Sequence, residues 1–372
     1  MVHMQSLFAH RIISGQDMQR VEVTTDELKR FSLMPGDLLF GRRSLALDGV
    51  GKASIVGELD EPMTFESSIL RLRTNSNRLN PYFALAFLDS FIGRKQMLAF
   101  ARQATISGIT GEDLKAYHIP IPPLQEQRKI AAILSTWDEA IEKIDALIAA
   151  KERRKRALMQ QLLTGKNRFP AFGKKAWTKM RMNQVLKRVL RPIAWSAEMS
   201  LSLISIRRRC GGLFRRPDLL GSEYKTQDLH ELKSGDFLVS KRQVVHGAWA
   251  IVTPEFAGGH VSKEYAIFTN IAPDKLHMPF FAWLAQTPRM IRLARVASTG
   301  VHIEKLIFDP DVFLRESIRI PADLAEQRQI AAILDTADQE LTLLRTQRNA
   351  LDQQKRGLMQ RLLTGKIRVR TY

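Results

Sequence analysis

The sequence predicts an α+β protein: two similar mixed globules separated by two long helices, packed as an antiparallel coiled coil in a pseudo-twofold repeat. Three observations predict it. Residues 124–168 recur at 324–368 without a gap, with about half of the aligned positions identical. Both copies carry apolar residues at helical spacing and no proline from Leu124 to Thr164 or from Leu324 to Thr364. The segments ahead of each copy match more weakly and read as short strands, turns and short helices.

Taken in chain order, residues 1–122 form the first globule. Pro35-Gly36-Asp37 is a turn signal before the apolar run Leu38-Leu39-Phe40, and Pro81-Tyr82-Phe83 opens a helical stretch. Residues 123–166 are the central helix, with the stripe Ile130, Ile133, Leu134, Trp137, Ile141, Ile144, Leu147 and Ile148. Pro122 and Pro123 suit its start and Gly165 its C-terminal cap. Residues 167–176 are a linker, inside a Gly/Pro-bearing stretch from Gly165 to Lys175. The second globule, 177–322, repeats the framework: Ser234-Gly235-Asp236 before Phe237-Leu238-Val239, then Pro279-Phe280-Phe281. Ser107-Gly108-Ile109 aligns with Thr299-Gly300-Val301, and His118 to Pro122 aligns with Ser317 to Pro321. Residues 323–366 are the second helix, with Ile330, Ile333, Leu334, Leu341, Leu344, Leu351 and Leu358. Each helix is roughly 60 Å long at ~1.5 Å per residue, too long to leave its stripe uncovered, so the two copies pack on each other. The stretch Trp177 to Met199 has no counterpart in the first half. Either the chain starts late or the first globule is N-terminally short.

Composition narrows the function. The formal charge of +19 in 372 residues exceeds what solubility asks of a small domain and points to a polyanionic partner, nucleic acid before membrane. The single cysteine, Cys210, excludes an internal disulfide and a cysteine zinc cluster. No run of 18 apolar residues marks a membrane span, and the start MVHMQSLFAHR lacks a signal-peptide core. A reducing, cytoplasmic setting is expected.

A globule, a helix opening on PPLxEQxxIAxIL and closing on LMQxLLTGK, then both again, resembles the specificity subunits of type I restriction–modification systems. Leu124-Gln125-Glu126-Gln127 and Leu158 to Lys166 carry the likeness, with their repeats. The resemblance implies that each globule reads one half of a bipartite, asymmetric site in double-stranded DNA, and that the helices fix the gap between half-sites. It also implies docking of two modification (methyltransferase) subunits and, through them, of restriction (ATP-dependent translocase/nuclease) subunits. No cofactor is then expected in this chain; S-adenosylmethionine belongs to the modification partner and ATP with magnesium to the restriction partner. The repeated helix-start residues Glu126, Gln127, Arg128, Glu326, Gln327 and Arg328 are the candidate partner contacts.

The candidate DNA contacts are basic and amide residues near predicted loops. Arg42, Arg43 and Lys52 flank the first strand pair, and Lys241, Arg242, Gln243 and His246 hold the equivalent place in the second half. Arginine can read guanine and glutamine adenine in bidentate fashion. Arg207, Arg208, Arg209, Arg215 and Arg216, around Gly211 and Gly212, suit phosphates. The loops Thr105 to Gly108 and Ser298 to His302 add Thr299 and His302. The tract 151–191 is strongly basic, with Glu152 its only acid, and suits the DNA backbone. Trp137 and Trp283 sit in apolar patterns and read as packing.

No catalytic or metal site emerges. Asn80-Pro81-Tyr82-Phe83 partly matches an adenine-methyltransferase loop but lacks its second proline, and its repeat partner begins with Met278. Thr164-Gly165-Lys166 and Thr364-Gly365-Lys366 end helices where a phosphate loop would start one. The alternatives are an inactive, degenerate specificity subunit, a fused methyltransferase or nuclease, for which the repeat leaves little room, and a coiled-coil scaffold.

Overall fold

The computed structural model describes residues 1–16, 18–101, 107–173 and 175–370. The chain forms two compact units. The first takes residues 1–147 and 344–372, and the second takes 148–343. Each unit is therefore a globule completed by the start of one long helix and the end of the other.

In the first unit a four-stranded sheet runs in the order Ile12–Ile13, Ala53–Val56, Leu38–Gly41, Ile69–Leu72. Its first pair is parallel and the others antiparallel. The central strand Leu38–Gly41 is buried on both faces, which its uninterrupted apolar run requires. In the second unit the order is Trp249–Ile251, Phe237–Ser240, Tyr265–Asn270, Leu186–Val189, all antiparallel. Leu38 pairs with Ile55 and Leu72, and Phe237 with Ile251 and Phe268, so three strands of each sheet correspond. The fourth strands do not, because they join opposite edges. Leu186–Val189 belongs to the stretch without a first-half counterpart. So does Trp177–Arg181, which pairs along Ser317–Pro321. The matching segment of the first unit, 118–122, is in no strand.

Both Gly-Asp turns hold a buried carboxylate, and each is clamped by an arginine. Arg73 donates through Nε and Nη2 to Asp37 at 2.7 Å each, and Arg191 donates to Asp236 at 2.6 and 2.9 Å. Each carboxylate also accepts from a backbone N–H three residues earlier, Met34 or Lys233. The clamps come from non-equivalent places: Arg73 follows the strand Ile69–Leu72, Arg191 the extra strand Leu186–Val189.

The long helices span Leu124–Leu162 and Leu324–Leu363. Within the first unit, Asp138 and Asp145 of one pair with Lys355 and Arg348 of the other. Within the second, Lys155 and Lys151 pair with Asp338 and Glu340. Residue number rises along one helix as it falls along its neighbour, so the pairing is antiparallel. Ile130, Ala131 and Leu134 pack with Phe83 and Phe87 of the helix Pro81–Asp89 and with Met359, Leu362 and Leu363. Ile330, Ala331 and Leu334 make the same three-way core with Phe280, Phe281 and Leu284, beside Leu162 and Leu163. Leu147, placed on the stripe by periodicity, is exposed instead; Ile141, Ile144 and Ile148 are half-buried. Gly165 and Gly365 follow the helix ends at φ +71°, a left-handed conformation that a side chain would strain.

Candidate nucleic-acid interface

The second unit gathers most of the basic candidates on neighbouring loops. Ile204–Ile206 and Leu213–Arg215 form a hairpin. Its loop carries Arg207, Arg208 and Arg209, all exposed. Arg207 closes the loop on itself: its N–H donates to Gly212 O at 2.9 Å, and its guanidinium lies 4.7 Å from the Phe214 ring centre. Arg209 and Cys210 adopt φ of 59° and 53°, which costs non-glycine residues of order 1–3 kcal/mol each and persists only where the surroundings hold it. The hold is visible. Arg209 N–H donates to His246 O at 2.7 Å and Cys210 N–H to Gly247 O at 2.9 Å. The arginine loop is thus seated on the turn Val244–His246. Burial pushes the Cys210 thiol pKa up, so this cysteine is a packing residue and not a poised thiolate.

A third segment closes on the same turn. The strands Ser298–Thr299 and Ile307–Phe308 pair around a loop holding Val301, His302 and Glu304, all exposed. Glu304 Oε2 accepts from Arg208 Nη2 at 3.4 Å, and Glu304 Oε1 lies 3.2 Å from His246 Nε2. Phe308 N–H donates to Lys241 O at 2.9 Å, which brings Lys241 and Arg242 alongside. Lys241 donates to Lys263 O, and its ammonium pKa is lowered, chiefly by burial and then by Arg188. Arg242 is paired with Glu264 at 2.6 Å. Gln243 is half-buried, and its Oε1 has no hydrogen-bond partner among the described residues. Arg208, Arg209, His246, Lys241, Thr299 and His302 therefore belong to adjoining loops. Arg215 and Arg216 do not share the loop of Arg207 to Arg209. They lie at the foot of the hairpin, where Arg215 is bonded to Ser202 Oγ and to Glu255 O.

The first unit has a smaller version. Arg43–Ser44 pairs with Ser107–Gly108, and Ile109 N–H donates to Arg42 O at 3.0 Å. That bond matches Phe308 to Lys241, so Ile109 corresponds to Phe308. The similar triplets Ser107-Gly108-Ile109 and Thr299-Gly300-Val301 are therefore not equivalent. Arg43 is exposed. Lys52 donates to Phe8 O at 3.0 Å and lies over the Phe8 ring, anchoring the helix Met4–Ala9. Thr105 lies outside the described residues.

The helix-start motifs have a job inside the chain. Gln127 is fully buried: its Oε1 accepts from Asn80 N–H at 2.8 Å, and its Nε2 donates to Arg78 O at 3.0 Å and Pro122 O at 2.8 Å. Gln327 repeats this with His277 N–H, Lys275 O and Pro321 O. Glu126 is clamped by Arg368 at 2.6–3.1 Å and accepts from Val369 N–H; these bonds hold its carboxyl below the usual carboxylate range. Glu326 is clamped by Arg168 at 2.7 and 2.9 Å. Of the six candidate partner contacts, four are thus buried and internally bonded, and only Arg128 and Arg328 are exposed.

Residues 11–151 match the model of the type I restriction modification DNA specificity domain. A Methanocaldococcus jannaschii chain assigned as the MjaX type I restriction enzyme specificity subunit is 26% identical over 371 residues, covering 94% of this chain and 83% of that one. Over residues 11–151 the chain carries this specificity domain, and along most of its length it is similar to a type I specificity subunit. The MjaVIII specificity subunit of the same organism is 23% identical over 78% of this chain and 70% of its own length. The EcoKI specificity subunit of Escherichia coli K12 is 27% identical over 119 residues, 32% of this chain and 26% of its own. The S subunit of a type I restriction–modification system from M. genitalium shares the fold, with a TM-score of 0.58 at 14% identity over 95% of this chain and 88% of that one. So does a chain from a study of type I complex assembly and conformational transition, with a TM-score of 0.52 at 19% identity, over 89% and 82%.

The specificity subunits it resembles are DNA-recognition subunits without catalysis of their own, and the methyltransferase-like motif in this chain has a structural use. Asn80 caps the helix Pro81–Asp89 by accepting from Phe83 N–H at 3.0 Å, while its own N–H meets Gln127. Among the described residues no three His, Cys, Asp or Glu side chains are grouped to hold a metal ion, and no helix is long and apolar enough to cross a membrane. Sequence reasoning missed Glu304, Arg73 and Arg191. An acid in a loop otherwise rich in exposed basic and apolar residues was the available signal for the first; nothing in the repeat pointed to the other two.

Proposed function

We propose that this chain is a type I specificity subunit that reads a bipartite, asymmetric site in double-stranded DNA, one half through each unit. The observation that carries the reading is the set of adjoining loops in the second unit, which brings Arg207, Arg208, Arg209, Lys241, Arg242, His246 and His302 onto neighbouring segments. Cations on loops seated by backbone bonds suit phosphates and the major groove. Arg43 and Arg42 take the corresponding place in the first unit, with a smaller basic set. The paired helices couple the two readers and carry the docking surface for two modification subunits, with Arg128 and Arg328 as exposed contacts. Restriction subunits join through these. S-adenosylmethionine, ATP and magnesium serve the partners, and the complex works in the cytoplasm, where its DNA is.

The test is methylome sequencing of cells carrying this chain with its cognate modification subunit, against cells lacking the chain. A new methyl-adenine pattern of two short specified blocks with a fixed gap supports the reading. A pattern with one specified block removes DNA reading from one unit. No new pattern with a folded modification subunit overturns the reading.

A further inference from the structure

The adjoining loops of the second unit contain an acid whose place the general attraction of DNA does not explain. Glu304 sits on the turn Ile303–Lys305 with its side chain 58% exposed. Ion pairs at such exposure contribute little to stability, so Arg208 and His246 do not require it there for folding. Near phosphates a carboxylate is repelled, and it weakens the sequence-independent part of binding. What a carboxylate can do, and arginine or lysine cannot, is accept a hydrogen bond from an amino group. Phosphate and ether oxygens of the DNA backbone offer no such donor; the exocyclic amino groups of cytosine (N4) and adenine (N6) do, in the major groove.

We propose that Glu304 is a specificity-determining residue that accepts from a base exocyclic amino group, with Arg208 as its positioning residue and His246 beside it. This rests on the reading of the chain as a DNA-recognition subunit. The geometry is suited to it. Arg208 donates to one carboxylate oxygen at 3.4 Å, and the other lies 3.2 Å from His246 Nε2 without a hydrogen bond, so each oxygen keeps a lone pair for a further donor. Arg208 belongs to the loop fixed by the left-handed Arg209 and Cys210, and His246 to the turn that loop rests on. Glu304's own loop is closed tightly: a Cβ on Gly300, at φ +145°, would meet Lys305 O at 2.9 Å. The loops on both sides of the carboxylate are thus set by their own backbone before DNA arrives, as readout by a single group requires.

The experiment compares the full chain with its Glu304→Gln and Glu304→Ala variants, each with the cognate modification subunit, by methylome sequencing. Competitive binding to duplexes substituted at each target position follows. The expected result is relaxed preference at one base pair only, with discrimination there falling about tenfold and other positions unchanged. An adenine or a cytosine at that position distinguishes the two amino groups. Uniformly tighter binding to all duplexes with an unaltered pattern overturns the proposal, and shows that Glu304 merely occupies Arg208 and His246. A wild-type chain without any sequence pattern sinks the DNA-reading function itself, a separate failure visible before any variant is compared.

Discussion

Replacing Gln327 by alanine should be among the most damaging single changes in the second unit, although Gln327 is polar and touches no proposed ligand. The amide is fully buried. It satisfies three backbone groups from two segments: His277 N–H at 2.9 Å, Lys275 O at 2.8 Å and Pro321 O at 2.9 Å. Alanine leaves all three unpaired in a site closed to water, at about 1–3 kcal/mol for each orphan. Taking the low end for each and adding the lost side-chain packing gives about 3–5 kcal/mol, at the top of the range for single substitutions. Gln327→Glu keeps the acceptor for His277 N–H but turns an oxygen toward two carbonyls, and it buries a charge. Its carboxyl would titrate above the unfolded value of about 4.3, so this variant loses stability progressively as pH rises past that value. Urea unfolding followed by tryptophan fluorescence reports on this region, because Trp177, Trp249 and Trp283 are all buried in its core. With a slope of about 3 kcal/mol per molar, the Gln327→Ala midpoint should fall by roughly 1 M. The exposed neighbour Arg328→Ala should shift it by less than about 0.2 M. Equal, small shifts for both variants would refute the accounting of orphaned groups.

Three further outcomes follow from the same structure. Glu126 is held below its ordinary value, first by Arg368 and also by Val369 N–H. Its contribution should be complete above about pH 4.3 and be lost as pH falls through the lower folded value; Glu126→Gln should flatten that part of an acid titration followed by circular dichroism. Asp236→Ala strands the Arg191 guanidinium, whose side chain is 20% exposed, and should cost about 2–3 kcal/mol in urea unfolding, less than for a fully buried pair. Arg209→Ala should weaken binding to all duplexes alike and lower the slope of log affinity against log salt by about 1; a changed target pattern would count against a phosphate contact.

The parts legible in the sequence were those that a residue's own side chain enforces. The duplicated stripe, Ile130 to Leu134 and Ile330 to Leu334, had to be covered, and the end of the other long helix covers it together with a short apolar helix of the globule. The two Gly-Asp turns marked corresponding strands. Less legible was anything made by the backbone or by a distant partner. The Arg207 to Arg209 loop is seated through the N–H groups of residues 209 and 210, which no residue type announces. The Ser-Gly-Ile and Thr-Gly-Val triplets looked equivalent because short loop motifs recur by chance, and the Ile109 and Phe308 bonds give the actual correspondence. Asp37 and Asp236 are clamped by arginines from unrelated positions, so the repeat reveals the carboxylate and hides its partner.

The residues at the helix starts are the most instructive. Glu126 and Gln127 recur as Glu326 and Gln327, and a polar motif repeated at two helix starts invites a partner. Burial gives such a motif a different reason to be repeated. An amide with three backbone bonds tolerates no other side chain, and a carboxylate closed over by Arg368 or Arg168 has one geometry. Each Gln joins the start of a long helix to the short segment before an apolar helix, Asn80 in one unit and His277 in the other. Each Glu joins that start to the chain leaving the other helix. With the framework locked by groups that face inward, the exposed side chains of the loops at 207–212 and 300–306 are free to serve something other than folding. If the chain reads DNA as proposed, its recognition loops can vary without disturbing the fold, because the division runs between buried polar clamps and exposed cationic loops.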